Sequence, residues 1–368
     1  MVVSNRTETA VRCLRKRSRQ IQTRTGAGIT DGILHANMEE KRRDETKMDK
    51  MTYGTIEGVN KPVSRIFFGT AGTPFKNGGD ASELLDGILT LGINAIDTAR
   101  VYGQSEKSIG DWIEKRGNRD QLVLLTKCCH PTPRWEKRVS EKEMRKDFAR
   151  SSELLHTGYF DIYLLHRDDP EVPVGELVEA FNALHAEGKI GAFGGSNWTH
   201  ERIDAANEYA YRRGLIPFTV SSPNYGLAEV RGDIWGGGSV SLSGPAEAEA
   251  RAWYAETGMP VVAWSSLAAG FFSGRMKSTD AGRVGEFLDP YAQKGFAAAD
   301  NFERLRRCEI LAEKKGVQVP QVALSWLFHQ KLNTYAVIST HSPARMEGNI
   351  AALHLPLTEE ECAWLNLM

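Results

Sequence analysis

The chain has 368 residues, of which 41% are hydrophobic and 25% are charged, so it can bury a large core. Its formal net charge of −1 excludes the bulk basic field that attracts nucleic acid. No apolar run approaches the roughly 18 residues that a transmembrane helix needs, so a membrane partner is not expected. Five cysteines without a disulfide or metal-site spacing suit a reducing cytoplasm, and no histidine pair has metalloprotease spacing, so no metal ion is expected.

Residues 1–50 differ from the rest of the chain. They hold 12 Lys and Arg against 7 Asp and Glu, few large apolar residues and no clear period. A disordered tail, a targeting presequence and translated sequence upstream of a later start all fit this composition, because the first thirty residues are rich in arginine while Met48 and Met51 follow. We expect a disordered extension that the activity does not need, and one folded domain over residues 51–368.

Helical periodicity alternates with short β-branched and aliphatic runs along the remaining chain. This alternation is typical of repeated βα units, and a parallel barrel of such units needs roughly 250 residues. We therefore expect an α/β fold, a (β/α)8 TIM barrel whose active site lies at the C-terminal end of its strands. The expected helices cover residues 81–91, 105–116, 140–155, 174–187, 200–213, 245–256, 301–315 and 320–330.

Three successive strand-like runs each end on a titratable residue. The first delivers Asp97 at its end and Tyr102 just beyond, the second ends on Lys127, and the third ends on His166. Taken singly, Asp97 could cap a helix, Lys127 could be a solvated edge charge and His166 could be a hydrogen-bonded core residue. Taken together they indicate an active site, because the carboxyl ends of barrel strands are where catalytic residues gather.

These residues resemble the catalytic set of the aldo-keto reductases, which is Asp, Tyr, Lys and His in this order. The resemblance runs from about residue 64 to the C-terminus. The motifs that carry it are Gly69-Thr70-Ala71, Ile96-Asp97-Thr98-Ala99, Tyr102-Gly103, Lys127, Leu164-Leu165-His166, Gly195-Ser196-Asn197, Ala263-Trp264-Ser265-Ser266-Leu267 and the segment from Pro343 to Asn349.

The resemblance implies a role for each of the four residues. Tyr102 would be the general acid that protonates a carbonyl oxygen and the general base in the oxidative direction. A phenol has an ordinary pKa of about 10, so we expect the Lys127 ammonium to lower the pKa of Tyr102 and Asp97 to hold Lys127 in place. His166 would donate a hydrogen bond to the substrate oxygen and orient it.

None of these side chains can carry hydride, so the resemblance also implies a bound nicotinamide cofactor. Ser196 and Asn197 match residues that bind the carboxamide. The alternative interpretation is that they are only the polar end of a strand before the helix at 200–213. Trp264 matches an aromatic ring that stacks on nicotinamide, and a core tryptophan is the alternative. Ser222 stands where relatives have a glutamine that reaches the carboxamide, so a water or Asn224 would have to complete that contact.

Two further groups of residues are carried over for the rest of the cofactor. Ser265, Leu267 and Ala269 would contribute backbone or hydroxyl donors to the pyrophosphate. Arg345 matches a residue that grips the 2′-phosphate, and Asn349 matches an adenine contact. Thr340, His341 and Gly348 replace other residues that relatives use there. We therefore favour NADP(H), while NAD(H) stays open.

Substrate identity depends on the loops at the catalytic end of the barrel, and two of them are long, at 223–244 and 271–300. We expect the second to cover the pyrophosphate. The aromatic residues Trp198, Tyr225 and Trp235 either line an open site or pack in the core.

Three functions fit the sequence, and the oligomeric state stays open. The favoured one is NADPH-dependent reduction of a small-molecule carbonyl, either an aldehyde, a ketone or a sugar-like compound. The alternatives are an NAD-linked polyol or sugar dehydrogenase and a cofactor-sensing regulatory subunit.

Overall fold

The computed structural model describes residues 51–232 and 234–368. The expectations for residues 1–50 lie outside these ranges. In the part described, the strands are β1 Tyr53–Gly54, β2 Val63–Ser64, β3 Ile66–Gly69, β4 Ala95–Asp97, β5 Val123–Cys128, β6 Phe160–Leu165, β7 Ile190–Ser196, β8 Val220–Ser222, β9 Val261–Ala263 and β10 Thr334–Ile338.

The α-helices that follow the strands confirm the periodicity seen in the sequence. They are α1 Ser82–Thr90, α2 Ser105–Arg116, α3 Glu141–Leu154, α4 Val174–Ala186, α5 His200–Arg213, α6 Ala248–Thr257, α7 Pro290–Phe296, α8 Ala299–Lys315, α9 Val319–Phe328, α10 Pro343–Ile350 and α11 Glu359–Leu365. Short 3-10 helices cover Phe75–Asn77, Arg119–Gln121, Pro245–Glu247, Ala268–Gly270, Ser278–Glu286 and Ala351–Leu353. Local signals set their ends: the Ser140 hydroxyl accepts from the backbone N–H of Glu143 at the start of α3.

Strands β3 to β10 form a closed parallel barrel in chain order, with β10 pairing β3. The (β/α)8 TIM barrel expected from the sequence is confirmed. Residues inside the barrel are apolar and fully buried, among them Phe67, Leu125, Ile162 and Leu164. The hairpin of β1 and β2 adds to this inner core through Val63, so the end of the barrel where the strands begin is packed.

A second and larger core lies between the strands and the surrounding helices. Because both faces of the strands are buried, the strands read as nearly continuous apolar runs, as parallel sheets do. Among the described residues no helix is long and apolar enough to cross a membrane.

Candidate active site

Strand register brings the four residues expected to act in catalysis to one edge of the barrel. Asp97 ends β4, Lys127 lies one residue before the end of β5, and His166 directly follows β6. Asp97 pairs with Leu125 and Lys127 with Leu164, so neighbouring strands end at nearly the same height. Tyr102 lies in the turn between β4 and α2. The four side chains converge at the carboxyl ends of three neighbouring strands.

Lys127 and Asp97 form a buried ion pair at the centre of this cluster. The Lys127 ammonium donates to the Asp97 carboxylate and, at 3.1 Å, to the backbone carbonyl oxygen of Thr98. The exposed fractions of the two side chains are 2% and 6%. Burial lowers the pKa of Lys127, but the charge of Asp97 and the phenol of Tyr102 more than offset it, so the net pKa is raised and the ammonium stays charged.

Tyr102 lies beside this ammonium. The Lys127 Nζ is 5.3 Å from the centre of the phenol ring. Burial raises the pKa of Tyr102 above its ordinary value, and Lys127 opposes that rise without reversing it. The sequence-based expectation of a net decrease in this pKa was therefore wrong for the protein alone, because desolvation outweighs the ammonium. Tyr102 is consequently protonated at neutral pH, which is the state that a general acid requires.

His166 completes the cluster as a neutral imidazole. Its ring centre lies 5.6 Å from that of Tyr102 in an edge-to-face arrangement. Burial, followed by the charge of Lys127, holds the pKa of His166 well below its ordinary value. Its buried Nδ1 has no hydrogen-bond partner among the described residues. A neutral ring retains hydrogen-bonding capacity for a ligand, which suits an orienting role.

Asn197 joins the predicted carboxamide site to the catalytic cluster. Its side-chain amide donates to the backbone carbonyl oxygen of His166 at 3.2 Å and to the Ser196 hydroxyl at 3.1 Å. The Ser196 hydroxyl in turn donates to the carbonyl oxygen of Ser222 at 2.9 Å. Asn197 has a positive φ of 59°, a conformation that asparagine tolerates better than most residues. The structure thus brings Ser196, Asn197 and Ser222 together next to His166.

The two residues that stand near the missing glutamine both make hydrogen bonds within the protein. The Ser222 hydroxyl donates to the carbonyl oxygen of Val262 at 2.8 Å. The side-chain amide of Asn224 donates to the carbonyl oxygen of Trp264 at 3.0 Å, and its oxygen accepts from the Ser241 hydroxyl at 2.9 Å. Both residues are committed to holding β8 against its neighbours, so a carboxamide contact from Ser222 stays a prediction.

The turn after β9 has the backbone form of an anion site. Ser265, Ala268 and Ala269 all have positive φ between 50° and 53°. Leu267 lies close to the right-handed region, with φ −105° and ψ 26°, and Ala268 follows in the left-handed region. A right-handed residue followed by a left-handed one points successive backbone N–H groups into a concavity that binds anions. The backbone N–H of Ala268 already donates to the carbonyl oxygen of Ser265 at 2.7 Å, so binding of a pyrophosphate by Ser265, Leu267 and Ala269 stays a prediction.

Trp264 stands at the head of this turn. It is half-buried, and its ring meets that of Trp235 edge to face with centres 5.2 Å apart. Its indole N–H is buried and has no hydrogen-bond partner among the described residues. A half-buried amphipathic ring at this strand end, in contact with a second ring at the mouth, fits a ligand-facing position better than a core position.

The two residues expected to bind the adenosine end lie on α10. Arg345 is exposed and makes no ion pair with another described residue. Asn349 is buried, one helical turn further on. A free guanidinium suits a phosphate by charge and geometry.

Two residues at the mouth of the barrel, His130 and Trp135, escaped the sequence analysis. His130 lies three residues after Lys127, and its ring centre is 4.9 Å from that of His166. Trp135 lies in the same loop with ring centres 5.7 Å from His130. Its ring covers Gly236, where a methyl group would be 1.8 Å from a Trp135 carbon. The signal in the sequence was a histidine and a tryptophan in a polar loop directly after the lysine strand.

The other aromatic residues considered for the site divide between core and mouth. Trp198 packs against Phe218 and is 1% exposed, and Tyr225 packs against Trp326 and is 1% exposed. These two are core residues. Trp235 lies at the mouth, against Trp264. The segment 271–300, expected as a loop, contains a 3-10 helix and α7.

A closed parallel barrel with a buried ion pair, a phenol and an imidazole gathered at the carboxyl end of its strands has the arrangement of a barrel enzyme. A family model described as "Aldo/keto reductase family" matches residues 65–366. The chain therefore belongs to the aldo/keto reductase family and is an oxidoreductase, and members of this family use nicotinamide cofactors.

Curated relatives agree with this assignment. An uncharacterized oxidoreductase, YrpG, of Bacillus subtilis is 27% identical over 86% of this chain and 95% of its own length. Norsolorinic acid reductase B of Dothistroma septosporum is 28% identical over 76% of this chain and 70% of its own length. An NADP(+) aryl-alcohol dehydrogenase of Phanerodontia chrysosporium is 27% identical over 77% of this chain and 74% of its own length.

Proposed function

We propose that the protein reduces the carbonyl group of an aldehyde, a ketone or a sugar-like compound with NADPH, and that Tyr102 is its general acid and base. The observation that carries this proposal is the placement of the Tyr102 phenol next to both the Lys127 ammonium and the neutral His166 ring. The pair of Lys127 and Asp97 supplies a fixed positive charge next to the proton donor. Carbonyl reduction needs such a donor where negative charge develops on oxygen.

Each residue has a separate task in this proposal. Tyr102 donates its phenolic proton to the carbonyl oxygen, and Lys127 stabilises the phenolate that remains. Asp97 keeps Lys127 charged and in position, since a buried ammonium alone would be strongly disfavoured. His166 donates a hydrogen bond to the same carbonyl oxygen and fixes its direction. When bound, the reduced nicotinamide supplies the hydride that the protein cannot provide.

The chain's own residues would hold that cofactor from end to end. Ser196, Asn197 and Ser222 would face the carboxamide, and Trp264 would lie against the ring. The turn with Ser265, Leu267 and Ala269 would bind the pyrophosphate through its backbone. Arg345 and Asn349 would bind the 2′-phosphate and the adenine. The Arg345 side chain is exposed and makes no ion pair with another described residue, and this is the reason for favouring NADPH over NADH.

The protonated state of Tyr102 at neutral pH is the form that carbonyl reduction uses, whereas polyol or sugar oxidation uses the phenolate. Oxidation begins with a phenolate that accepts a proton, and burial keeps the pKa of Tyr102 above its ordinary value. The second alternative, a regulatory subunit, predicts cofactor binding without turnover. A cytoplasmic location stays part of the proposal, supported by Cys128, Cys129, Cys308 and Cys362 being free thiols.

Turnover of a carbonyl panel with NADPH and with NADH tests the activity. Tyr102→Phe should lower kcat by about 100-fold to 10,000-fold, the contribution of a general acid, while NADPH still binds. Tyr211→Phe is the matched control, because Tyr211 is 68% exposed on α5. Activity that survives in Tyr102→Phe would refute the assigned role, and a chain that binds NADPH but reduces nothing would favour the regulatory alternative.

Cofactor choice is tested by Arg345→Ala. Loss of a charged contact to the 2′-phosphate should weaken NADPH binding about tenfold or more and leave NADH binding unchanged. Quenching of tryptophan fluorescence measures both affinities. Arg212→Ala removes another exposed charge, on α5 instead of α10, and should change neither. Equal loss for both cofactors would overturn the NADP preference.

A further inference from the structure

A continuous series of aromatic rings lies at the mouth of the barrel, and several of these rings have no role in the proposed reaction. Each ring meets the next at a centre-to-centre distance between 4.9 and 5.7 Å, apart from one step across Gly236. We name this series the aromatic arc. In spatial order its members are Tyr102, His166, His130, Trp135, Trp235 and Trp264.

The two residues at the ends of the aromatic arc, Tyr102 and Trp264, have proposed roles in the reaction. Tyr102 is the proposed proton donor, and Trp264 lies at the expected nicotinamide position. The middle of the arc comes from two different loops, because Trp135 follows β5 and Trp235 follows β8. The loops touch where the Trp135 ring covers Gly236. A substrate that reaches Tyr102 therefore passes between ring systems.

Trp135 and Trp235 both have backbone conformations that bulky residues disfavour. Trp135 has φ 61° and Trp235 has φ 54°, both in the left-handed region that bulky residues avoid. Strained residues of this kind persist where the surrounding structure fixes them, and they gather at functional sites. Trp135 is also 44% exposed, which is unusual for a large apolar side chain that serves only packing.

Local hydrogen bonds hold the Trp135 turn. The backbone N–H of Trp135 donates to the carbonyl oxygen of Thr132 at 2.8 Å. The backbone N–H of Thr132 donates to the carbonyl oxygen of Glu136 at 3.0 Å. The Thr132 hydroxyl accepts from the backbone N–H groups of Arg134 and Glu136. The Trp135 indole therefore projects from a turn that is closed by hydrogen bonds.

We propose that the aromatic arc selects planar aromatic carbonyl compounds, and that Trp135, held against Gly236, is the specificity-determining residue. This inference rests on the proposed carbonyl reductase function. A flat ring gains edge-to-face or offset-stacked contacts with such walls, whereas a saturated ring of equal size gains only surface burial. His130 contributes through its ring, whose Nδ1 already faces the carbonyl oxygen of Pro131 at 3.0 Å.

A matched pair of substrates isolates this preference. Benzaldehyde and cyclohexanecarbaldehyde have the same number of carbon atoms and differ in planarity and aromaticity. For each variant the quantity measured is the ratio of kcat/KM for benzaldehyde to that for cyclohexanecarbaldehyde, so that effects on cofactor binding and on the common chemical step cancel. Trp135→Ala should lower this ratio by about tenfold, and Trp135→Phe should restore most of it.

The chain offers controls for both sides of the contact. Arg134→Ala removes an exposed side chain from the same turn and should leave the ratio unchanged. Gly236→Ala should lower the ratio, because its methyl group would displace the Trp135 ring. Gly238→Ala carries the same kind of backbone strain, at φ 64°, but nothing lies within 4 Å of its methyl group, so the ratio should not change.

The outcomes separate this inference from the proposed function. If the wild-type protein reduces no member of the carbonyl panel, the proposed function fails. Whenever these two aldehydes are not reduced, calorimetry tests the arc by comparing the binding of benzamide and of cyclohexanecarboxamide to the NADPH-saturated protein. Tighter binding of benzamide that Trp135→Ala abolishes would still support the arc. If Trp135→Ala changes both kcat/KM values equally, or if the two amides bind equally, the proposed selectivity is overturned.

Discussion

The side-chain amide of Asn197 donates a hydrogen bond to the backbone carbonyl oxygen of His166, at a distance of 3.2 Å. Asn197 follows β7 and His166 follows β6, so this bond spans two neighbouring strand ends. It links a residue proposed to bind the cofactor with one proposed to orient the substrate. The backbone N–H of Val240, in the loop after β8, also donates to the Asn197 side chain.

This relationship predicts a coupled defect in Asn197→Asp. The carboxylate keeps the shape of the amide but cannot donate, and it places a negative charge beside the His166 carbonyl oxygen. We expect kcat/KM to fall by about tenfold or more, since an unsatisfied buried acceptor costs roughly 1–3 kcal/mol. NADPH affinity should fall together with it, as measured by fluorescence titration.

Asn182→Asp is the matched control for that change. The Asn182 amide also donates to a backbone carbonyl oxygen, that of Ile216 at 3.0 Å, but it lies on α4. It should lower the stability of the fold and leave kcat/KM of the folded enzyme unchanged. Equal kinetic losses in both variants would show that Asn197 acts through stability alone.

Variants of the buried pair Lys127 and Asp97 allow effects on stability and on catalysis to be measured separately. Lys127→Met leaves the Asp97 carboxylate without its cation, and breaking a buried pair in this way costs about 3–5 kcal/mol. The double variant Lys127→Met with Asp97→Asn removes both charges and should recover most of that stability. It should not recover activity, because Tyr102 still lacks the ammonium that stabilises its phenolate. Urea unfolding and kcat measured on the same samples test this, and a double variant as active as the wild type would contradict the role given to Lys127.

Much of this architecture was predictable because its determinants are local. Apolar runs that end on Asp97, Lys127 and His166 mark strand ends, and period-3.6 patterns mark the helices. The helix at Pro290–Phe296 was missed, although Asp289 and Pro290 form a helix start: the Asp289 carboxylate accepts from the backbone N–H of Tyr291 at 2.9 Å.

What the sequence did not reveal depends on contacts between distant segments. The edge-to-face contact of His130 with His166 and the packing of Trp135 on Gly236 involve left-handed backbone in two separate loops. The pKa of Tyr102 depends on a balance between burial and the charge of Lys127, and burial at a barrel mouth is not written in any local pattern. The sequence therefore predicted which side chains gather at the candidate site, but it did not predict the direction in which the pKa of Tyr102 is shifted.

The pH dependence of the reaction follows from two shifted groups. Burial holds the pKa of Tyr102 above its ordinary value of 10.0, so the acid form is complete at neutral pH and is lost only as the pH rises through this raised pKa. Burial and Lys127 hold the pKa of His166 well below 6.5, so its neutral form is lost only as the pH falls through that lowered value. We expect kcat/KM for carbonyl reduction to be flat between about pH 6.5 and 10.

The reverse reaction should depend on pH with the opposite sign. Alcohol oxidation uses the phenolate of Tyr102 as base, so its rate should rise about tenfold per pH unit across the same range. Profiles of kcat/KM in both directions, recorded with one carbonyl and its alcohol, measure this difference. A fall in the reductive profile near pH 7 would mean that another group donates the proton.

Two helical glycines should respond to alanine with opposite signs. A methyl group at Gly110 in α2 would lie 2.0 Å from the carbonyl oxygen of Leu154 at the end of α3, so the two helices would have to separate. Overpacking of this kind costs about 1–3 kcal/mol, more than the roughly 0.5–1 kcal/mol that alanine gains in a helix. At Gly348 in α10 nothing lies within 4 Å, so Gly348→Ala should stabilise the fold by that smaller amount. Urea unfolding without NADPH tests both, because α10 also carries the proposed adenosine contacts. Stabilisation by both substitutions would show that α2 does not pack as closely on α3 as the distance indicates, and destabilisation by both would contradict the open surroundings of Gly348.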